Sequence, residues 1–457
     1  MTPVTLVQEL HRIIEDPARV SIDQEVIRRH GNDITSYHRT SCPDVVVYPI
    51  CTKEISDILV HANERSIPVV PCGALTSVEG QVVPVCQGIS LSLTRMNEII
   101  KIRPQDFLVI VQPGVTKNQL NEALKEHGLF FAVNLGADAT VGGMAATNAS
   151  GANAVRYGTM KDQILGLEVV LADGTIMRAG GMARKSSSGY NLKDLIVGSE
   201  GTLAVLSELT LRVHPIPPSI ISLKAVFPDL ASASNAVTSL IRTGTEFGRL
   251  ELLDDRTMGC INQYYRTELA EFPTLLLDIA GSTSTLRDVA DQSISILKHL
   301  GAHETTLYES EEDRNRLWAI RFHVAHVIAD LSPDKKLMTT DVCVPISVLP
   351  EAISATRKMM DQYGVFGSLL GHVGDGNYHA VMAVDPSDEE EMERARRVCD
   401  AIVEYALRRG GTCSGEHGIG LGKKKHLAAE HGESVSMMRA IKALFDPKNI
   451  LNPGKIF

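Results

Sequence analysis

Gly136-Ala137-Asp138-Ala139-Thr140-Val141-Gly142-Gly143, followed within a few residues by Asn148-Ala149-Ser150-Gly151, is the stretch on which the reading of this chain turns. Gly, Ser and Thr let backbone N–H groups and hydroxyls approach a pyrophosphate closely. Two more loops of the same make-up flank it, Pro71-Cys72-Gly73-Ala74-Leu75-Thr76-Ser77 upstream and Gly198-Ser199-Glu200-Gly201-Thr202 downstream. One such loop reads as an ordinary turn. Four of them between residues 71 and 202 point to a cradle for a large phosphate-containing cofactor. No G-x-G-x-x-G follows a first strand with an acidic residue beyond it, so a dinucleotide site of the Rossmann type is disfavoured.

Around these loops the pattern is that of short strands and helices. Leu6, Leu10 and Ile13–Ile14 recur at helical spacing. Residues 44–50 read as a strand, and Thr52 can cap a helix with Ile55, Ile58, Leu59 and Ala62 on one face. Residues 67–71 form the next strand. Thr116 and Gln119 form a capping box for a helix that stops at Gly128, and residues 164–171 with Ile176 look like a hairpin. Three prolines in the run His214-Pro215-Ile216-Pro217-Pro218 mark a domain boundary. Beyond it, apolar strands (221–227, 274–280, 337–344, 366–371, 379–384) alternate with helical stretches, which suggests an antiparallel sheet with helices on one face. The longest helix is expected over 387–409, with Met392, Ala395, Val398, Ile402 and Ala406 as its buried stripe.

The C-terminal half carries its own chemistry. His372 and His379 flank the turn Gly374-Asp375-Gly376-Asn377, and Glu416-His417 return in the Gly-rich run Ser414-Gly415-Glu416-His417-Gly418. A lone histidine reads as a packed or surface residue. Two around a Gly-rich turn, with a second Gly-Glu-His-Gly loop, read as a metal site: His372, His379 and Glu416 as ligands and His417 beside them as a base. Asp375 is read as a turn residue, and the other histidines, His38 among them, as structural. Two imidazoles, a carboxylate and open positions suit Zn²⁺, Mn²⁺ or Fe²⁺.

Composition bounds the alternatives. A chain of 457 residues implies two or three domains, and 44% hydrophobic with 22% charged residues is that of a soluble protein. A net charge of −10 gives no footprint for nucleic acid. The eight cysteines hold no C-x-x-C pair and read as reduced thiols. Residues 1–15 show no targeting pattern and no apolar run approaches a membrane span, so a cytoplasmic protein is expected, with peripheral contact at the inner membrane face left open.

From about residue 40 onward the sequence resembles the FAD-linked oxidases of the vanillyl-alcohol-oxidase/PCMH type, in their branch of D-lactate dehydrogenases (cytochrome) and glycolate-oxidase D subunits. The matching text is Val70 to Gly80, Val111-Gln112-Pro113-Gly114-Val115-Thr116, residues 136–151, Val155 to Met160, Val197 to Leu203, residues 371–379 and 414–420, and Leu451-Asn452-Pro453-Gly454-Lys455. The resemblance implies an α+β protein: an N-terminal helical segment (1–39), a PCMH-type FAD domain of two α+β subdomains (40–217), and a ferredoxin-like antiparallel-sheet cap domain with a C-terminal helical segment (218–457). It places Gly73, Thr76, Ser77, Pro113, Gly136, Ala137, Thr140, Gly142, Gly143, Ser150, Gly151, Tyr157, Gly158, Glu200, Gly201, Thr202, Val205 and Asn452 against non-covalent FAD. The family loop reads P-x-G-G-G-T-S; here Ala74 and Leu75 replace two glycines, which strains the loop if Leu75 takes positive φ.

The expected chemistry is oxidation of a 2-hydroxy acid. A divalent metal chelated by carboxylate and hydroxyl lowers the hydroxyl pKa, His417 removes the proton, and the flavin takes the hydride. Trp318 and Arg321 resemble the family's W-x-x-R, with Arg321 either a carboxylate clamp or a surface salt bridge. Related 2-hydroxyglutarate dehydrogenases carry a Lys and an Asn where this chain has Thr339 and Val381, so a second carboxylate would lack its partner. D-Lactate is expected first and glycolate second. The electron acceptor is left open between a cytochrome, a quinone and a flavoprotein, with partner subunits required in the glycolate-oxidase reading. Two other classes stay open: a metal-dependent hydrolase, from the His/Glu set alone, and a non-catalytic flavin module.

Overall fold

The computed structural model of the chain describes residues 3–34 and 41–457, so His38 lies outside the described residues. The chain forms two compact units. One gathers Met1–Ser150, Gly158–Ile216 and Glu416–Phe457; the other gathers Gly151–Tyr157 and Pro217–Gly415.

The first unit is built on two main sheets. In one, Val45–Val47, Ile89–Ser92 and Val69–Cys72 run parallel, with Val20–Ser21 antiparallel at the edge. Parallel strands need a crossover, and the helix Thr52–Arg65 makes the one from Val45–Val47 to Val69–Cys72, past the intervening Ile89–Ser92, with Ile55, Ile58, Leu59 and Ala62 wholly buried. Its N-cap is Cys51 rather than Thr52; the Thr52 hydroxyl donates instead to Glu168 Oε1 (2.8 Å). The other sheet is antiparallel, in the order Ile99–Arg103, Leu108–Val111, Val205–Arg212, Ile164–Val170, Ile176–Gly180, and includes the expected hairpin. Thr116 caps the helix Lys117–Lys125 through Gln119 N–H, but the Gln119 amide reaches Asn97 O instead of closing the box.

The last residues return to the parallel sheet. Val69 N–H donates to Ile450 O (2.7 Å) and Asn452 N–H to Val69 O (2.8 Å), and Ile450 and Leu451 are buried. The helices Lys424–His431 and Ser434–Phe445 therefore fall in the first compact unit.

The second unit is an eight-stranded antiparallel sheet. Its main order is Glu304–Tyr308, Ser219–Val226, Thr274–Gly281, Phe247–Leu253, Gly367–Gly371, Asn377–Val384, Lys336–Thr339, with Val342–Cys343 also paired to Asn377–Val384. The single strand expected over 337–344 is thus two, broken at Thr340-Asp341. Successive side chains of a strand point to opposite faces. Leu275, Leu276 and Leu277 are all buried, so both faces are covered, not one. Leu276, Leu370 and Val381 pack against Met258, Ile261, Trp318 and Ile328 from the helices Asp255–Tyr265, Glu311–Phe322 and Val324–Asp330. The helix Glu389–Arg408 buries the expected stripe Met392, Ala395, Val398, Ile402 and Ala406.

Candidate active site

Gly-rich loops of the first unit line one cavity of about 250 Å³, open to solvent, with Ala149 contributed by the loop at 148–151. Gly73, Thr76 and Ser77, then Pro113, Gly136, Ala137, Thr140, Gly142 and Gly143, and then Glu200, Gly201 and Asn452 contribute to the lining. Leu93, Leu135, Met144, Ile196 and Leu206 add an apolar wall. The loops approach closely because side chains are absent: a Cβ on Gly73 would collide with Thr140 Oγ1. Leu75 does take positive φ (+60°), at a cost of about 1–2 kcal/mol for a residue with a Cβ. Ser77 Oγ is buried with no hydrogen-bond partner among the described residues. A buried hydroxyl of that kind awaits an acceptor, and a phosphate oxygen is one. Apolar wall, loop approach and orphaned hydroxyl together fit FAD. Cys72 also lines the cavity, and burial pushes its thiol up to about 11, so it stays protonated.

Several expected FAD residues stand elsewhere. Val205 is wholly buried in the core and is not in the cavity lining. The Thr202 hydroxyl is turned back onto Ser199 O (2.7 Å). Gly158 is not in the lining, and Gly151 and Tyr157 belong to the second unit. Ser150 Oγ donates to Glu416 Oε2 (3.0 Å). Glu416 and His417 themselves line the cavity, which the sequence reading had not assigned to them.

The second unit brings His372 and His379 together, their rings perpendicular (84°) with centroids 5.6 Å apart. The strand pair Gly367–Gly371 and Asn377–Val384 sets this spacing, with the intervening turn closed by Asp375 N–H to His372 O (3.3 Å). His372 Nδ1 meets Glu251 Oε1 at 2.6 Å, and His379 Nδ1 meets Thr340 O at 3.2 Å. Partners of that kind fix the Nδ1–H tautomer and place the ligating lone pair on Nε2. Asp341 stands 3.7 Å from His379 Nδ1 and accepts from Asn377 Nδ2 (2.7 Å) and Ser414 Oγ (3.0 Å).

Arg321 is neither a surface salt bridge nor an open clamp. It is 6% exposed, and its Nε and Nη2 donate to Glu251 Oε2 (2.9 and 2.6 Å). Its carboxylate partner is internal. Burial would raise the Glu251 carboxyl, but Arg321 and His372 hold it below the ordinary value. Glu251 and Asp341 were missed by sequence reasoning. The signal for Glu251 was one acid inside the apolar strand Phe247–Leu253.

A family model described as "FAD binding domain" matches residues 43–180, and one described as "FAD linked oxidases, C-terminal domain" matches residues 216–456. The chain belongs to the FAD-linked oxidases. Among similar proteins, this oxidase is 41% identical to a probable mitochondrial D-lactate dehydrogenase of Danio rerio, over 96% of the chain and 88% of the relative. It is 38% identical to a mitochondrial D-lactate dehydrogenase [cytochrome] of Arabidopsis thaliana, over 99% of the chain and 80% of the relative. To a glycolate oxidase subunit GlcD of Bacillus subtilis it is 34% identical, over 93% and 92%. A solved p-cresol methylhydroxylase shares its fold at a TM-score of 0.81 and 18% identity, over 99% of this chain and 96% of that one. This FAD-linked oxidase is thus an oxidoreductase acting on CH–OH groups.

Proposed function

We propose that this FAD-linked oxidase dehydrogenates a short D-2-hydroxy acid, D-lactate before glycolate, giving the 2-oxo acid. The observation that carries this reading is the anchored histidine pair, His372 on Glu251 and His379 on Thr340, in a chain whose other unit cradles a flavin nucleotide. The relatives named for D-lactate and glycolate support the substrate class. Thr339 and Val381, the two positions that argue against a dicarboxylate, are cross-strand partners. Val381 sits in an apolar cluster with Leu253, Trp318, Ile328 and Leu370, a poor setting for a second carboxylate.

In this reading a divalent ion, Zn²⁺, Mn²⁺ or Fe²⁺, would be held by His372, His379 and Glu416, and would supply Lewis acidity toward the substrate oxygens. FAD, when bound, supplies the hydride acceptor. His417 takes the hydroxyl proton as the hydride leaves Cα, so one proton and one hydride depart and lactate becomes pyruvate. Ser150, donating to Glu416, orients that carboxylate. Glu251, itself held by Arg321, orients His372. We place the reaction in the cytoplasm or at the inner face of a membrane, with a cytochrome, quinone or flavoprotein as electron acceptor; no helix among the described residues is long and apolar enough to span a bilayer.

The test is an anaerobic mix of purified protein with D- or L-lactate, following loss of flavin colour with and without a chelator. D-Lactate bleaches the flavin, and the chelator slows it. His417→Ala keeps FAD but loses about 10²–10⁴-fold in reduction rate, whereas His379→Ala loses metal. Reduction of His417→Ala at the original rate would refute the base assignment. A preference for D-2-hydroxyglutarate over D-lactate in competition would refute the substrate.

A further inference from the structure

The turn that follows Glu416-His417 is held by groups to which the chemistry above gives no task. Glu200, 5% exposed and at φ +53°, accepts Ile419 N–H (2.6 Å) on Oε1 and Gly420 N–H (2.8 Å) on Oε2. Gln81 Nε2 donates to His417 O (2.6 Å). Glu79 O accepts Leu421 N–H (2.7 Å) and Gly422 N–H (3.2 Å). Gly418 crosses between these anchors at φ +82°; a Cβ there would stand 2.6 Å from Glu200 Oε1 and 2.8 Å from Gln81 Nε2. Asn452 ties the anchors to each other, donating from Nδ2 to Glu200 O (2.7 Å) and Gln81 O (3.0 Å).

We propose that Glu200 is a positioning residue: with Gln81, its carboxylate fixes the backbone that carries Glu416 and His417, and it does so from within the flavin loop. The family resemblance places Glu200 against FAD, yet both of its carboxylate oxygens are directed at the turn. A carboxylate suits this task because it accepts two adjacent N–H groups at once with charge-assisted bonds. A Gln at the same place accepts one and opposes the other with its own N–H. The loop Gly198–Thr202 thereby shapes the cavity and aims the base in one piece, so a Glu416-His417 turn that slips should lose rate without losing flavin.

The inference rests on His417 as the base, and the test separates the two. Glu200→Gln is compared with the unaltered protein and His417→Ala. Expected for Glu200→Gln are full flavin content and D-lactate KM within about twofold. Reduction per bound flavin slows about tenfold to a hundredfold, with a displaced pH profile of the limiting rate. In the flavin-free protein, amide hydrogen exchange in the peptide spanning Ile419 and Gly420 accelerates. Gln81→Met, which removes only the side-chain bonds of Gln81, shows the same signs more weakly and serves if Glu200→Gln does not fold. Loss of FAD with an unchanged rate per bound flavin makes Glu200 a flavin ligand and overturns the inference, as does unchanged exchange at residues 419 and 420. An inactive His417→Ala beside a Glu200→Gln of unchanged rate overturns the inference alone; an active His417→Ala overturns the base.

Discussion

Arg321 and Glu251 form a buried ion pair whose second carboxylate oxygen faces His372. Taking two charges out of water costs several kcal/mol each, and removal of one partner leaves the other uncompensated. Arg321→Met should therefore destabilise the protein by about 3–5 kcal/mol in urea unfolding. Glu251→Gln should do the same and, at the proposed metal site, also weaken binding of the ion about 10–100-fold, because His372 loses the group that orients it. The double variant should be less unstable than the sum of the two; strict additivity would show that the pair does not act as a unit. Both motif histidines were legible in the sequence because a Gly-rich turn sets them side by side. Glu251 was not, because its partners lie 70 and 121 residues away, and no local spacing points across a sheet. Leu75 takes positive φ where the family loop uses glycine, whereas Ala74, which also replaces a glycine, does not; the sequence could flag the loop as strained but not which residue carries the strain.

Asp254 does for an element what Glu251 does for a residue. It caps the helix Asp255–Tyr265 by accepting Thr257 N–H (2.7 Å), and it accepts Leu369 N–H (2.7 Å) from the strand that runs into His372. Arg357 completes its partners. Burial pushes this carboxyl up to about 6, against the pull of Arg357 and the hydrogen bonds. Asp254→Ala should cost about 3–5 kcal/mol, since it strands Arg357 and two N–H groups. If the strand Gly367–Gly371 loosens with it, affinity for the proposed metal falls too; a titration showing unchanged affinity in the folded variant would separate cap from site. Elements with a strong period were legible, as in the Glu389–Arg408 stripe. The helical stretch that carries Trp318 and Arg321 instead breaks at His323, between Glu311–Phe322 and Val324–Asp330. The break lets Val324 and Ile328 join Trp318 and Met258 in one cluster, a tertiary demand that overrides a continuous helical pattern.

At the scale of the whole molecule, the chain leaves the flavin-binding unit at Ile216 and rejoins it at Glu416. The two-unit plan was legible from the loops and the proline run. The return was not, because the bonds between Val69 and residues 450–452 join segments with no shared local pattern. That return brings Lys423 and Lys455, both buried, into the unit that holds Glu200. Burial pushes the Glu200 carboxyl up to about 7 from 4.5, against the Ile419 and Gly420 amides and then Lys455 and Lys423. A folded-state value above the unfolded one means that the native protein keeps a proton which the unfolded chain has released. Stability from this group is therefore complete below about pH 4.5 and falls as pH rises through about 7. The span corresponds to roughly 3 kcal/mol at 1.36 kcal/mol per pH unit. Glu200→Gln lacks this titration, so its unfolding free energy relative to the unaltered protein should climb by about that amount between pH 4.5 and 8, even though the variant loses hydrogen bonds at every pH. Urea unfolding of both proteins at steps across that range measures the difference directly, because the titrations they share cancel. A difference that stays flat with pH would mean that Glu200 is already ionised in the native protein at low pH, with the two amides and two ammonium groups outweighing its burial.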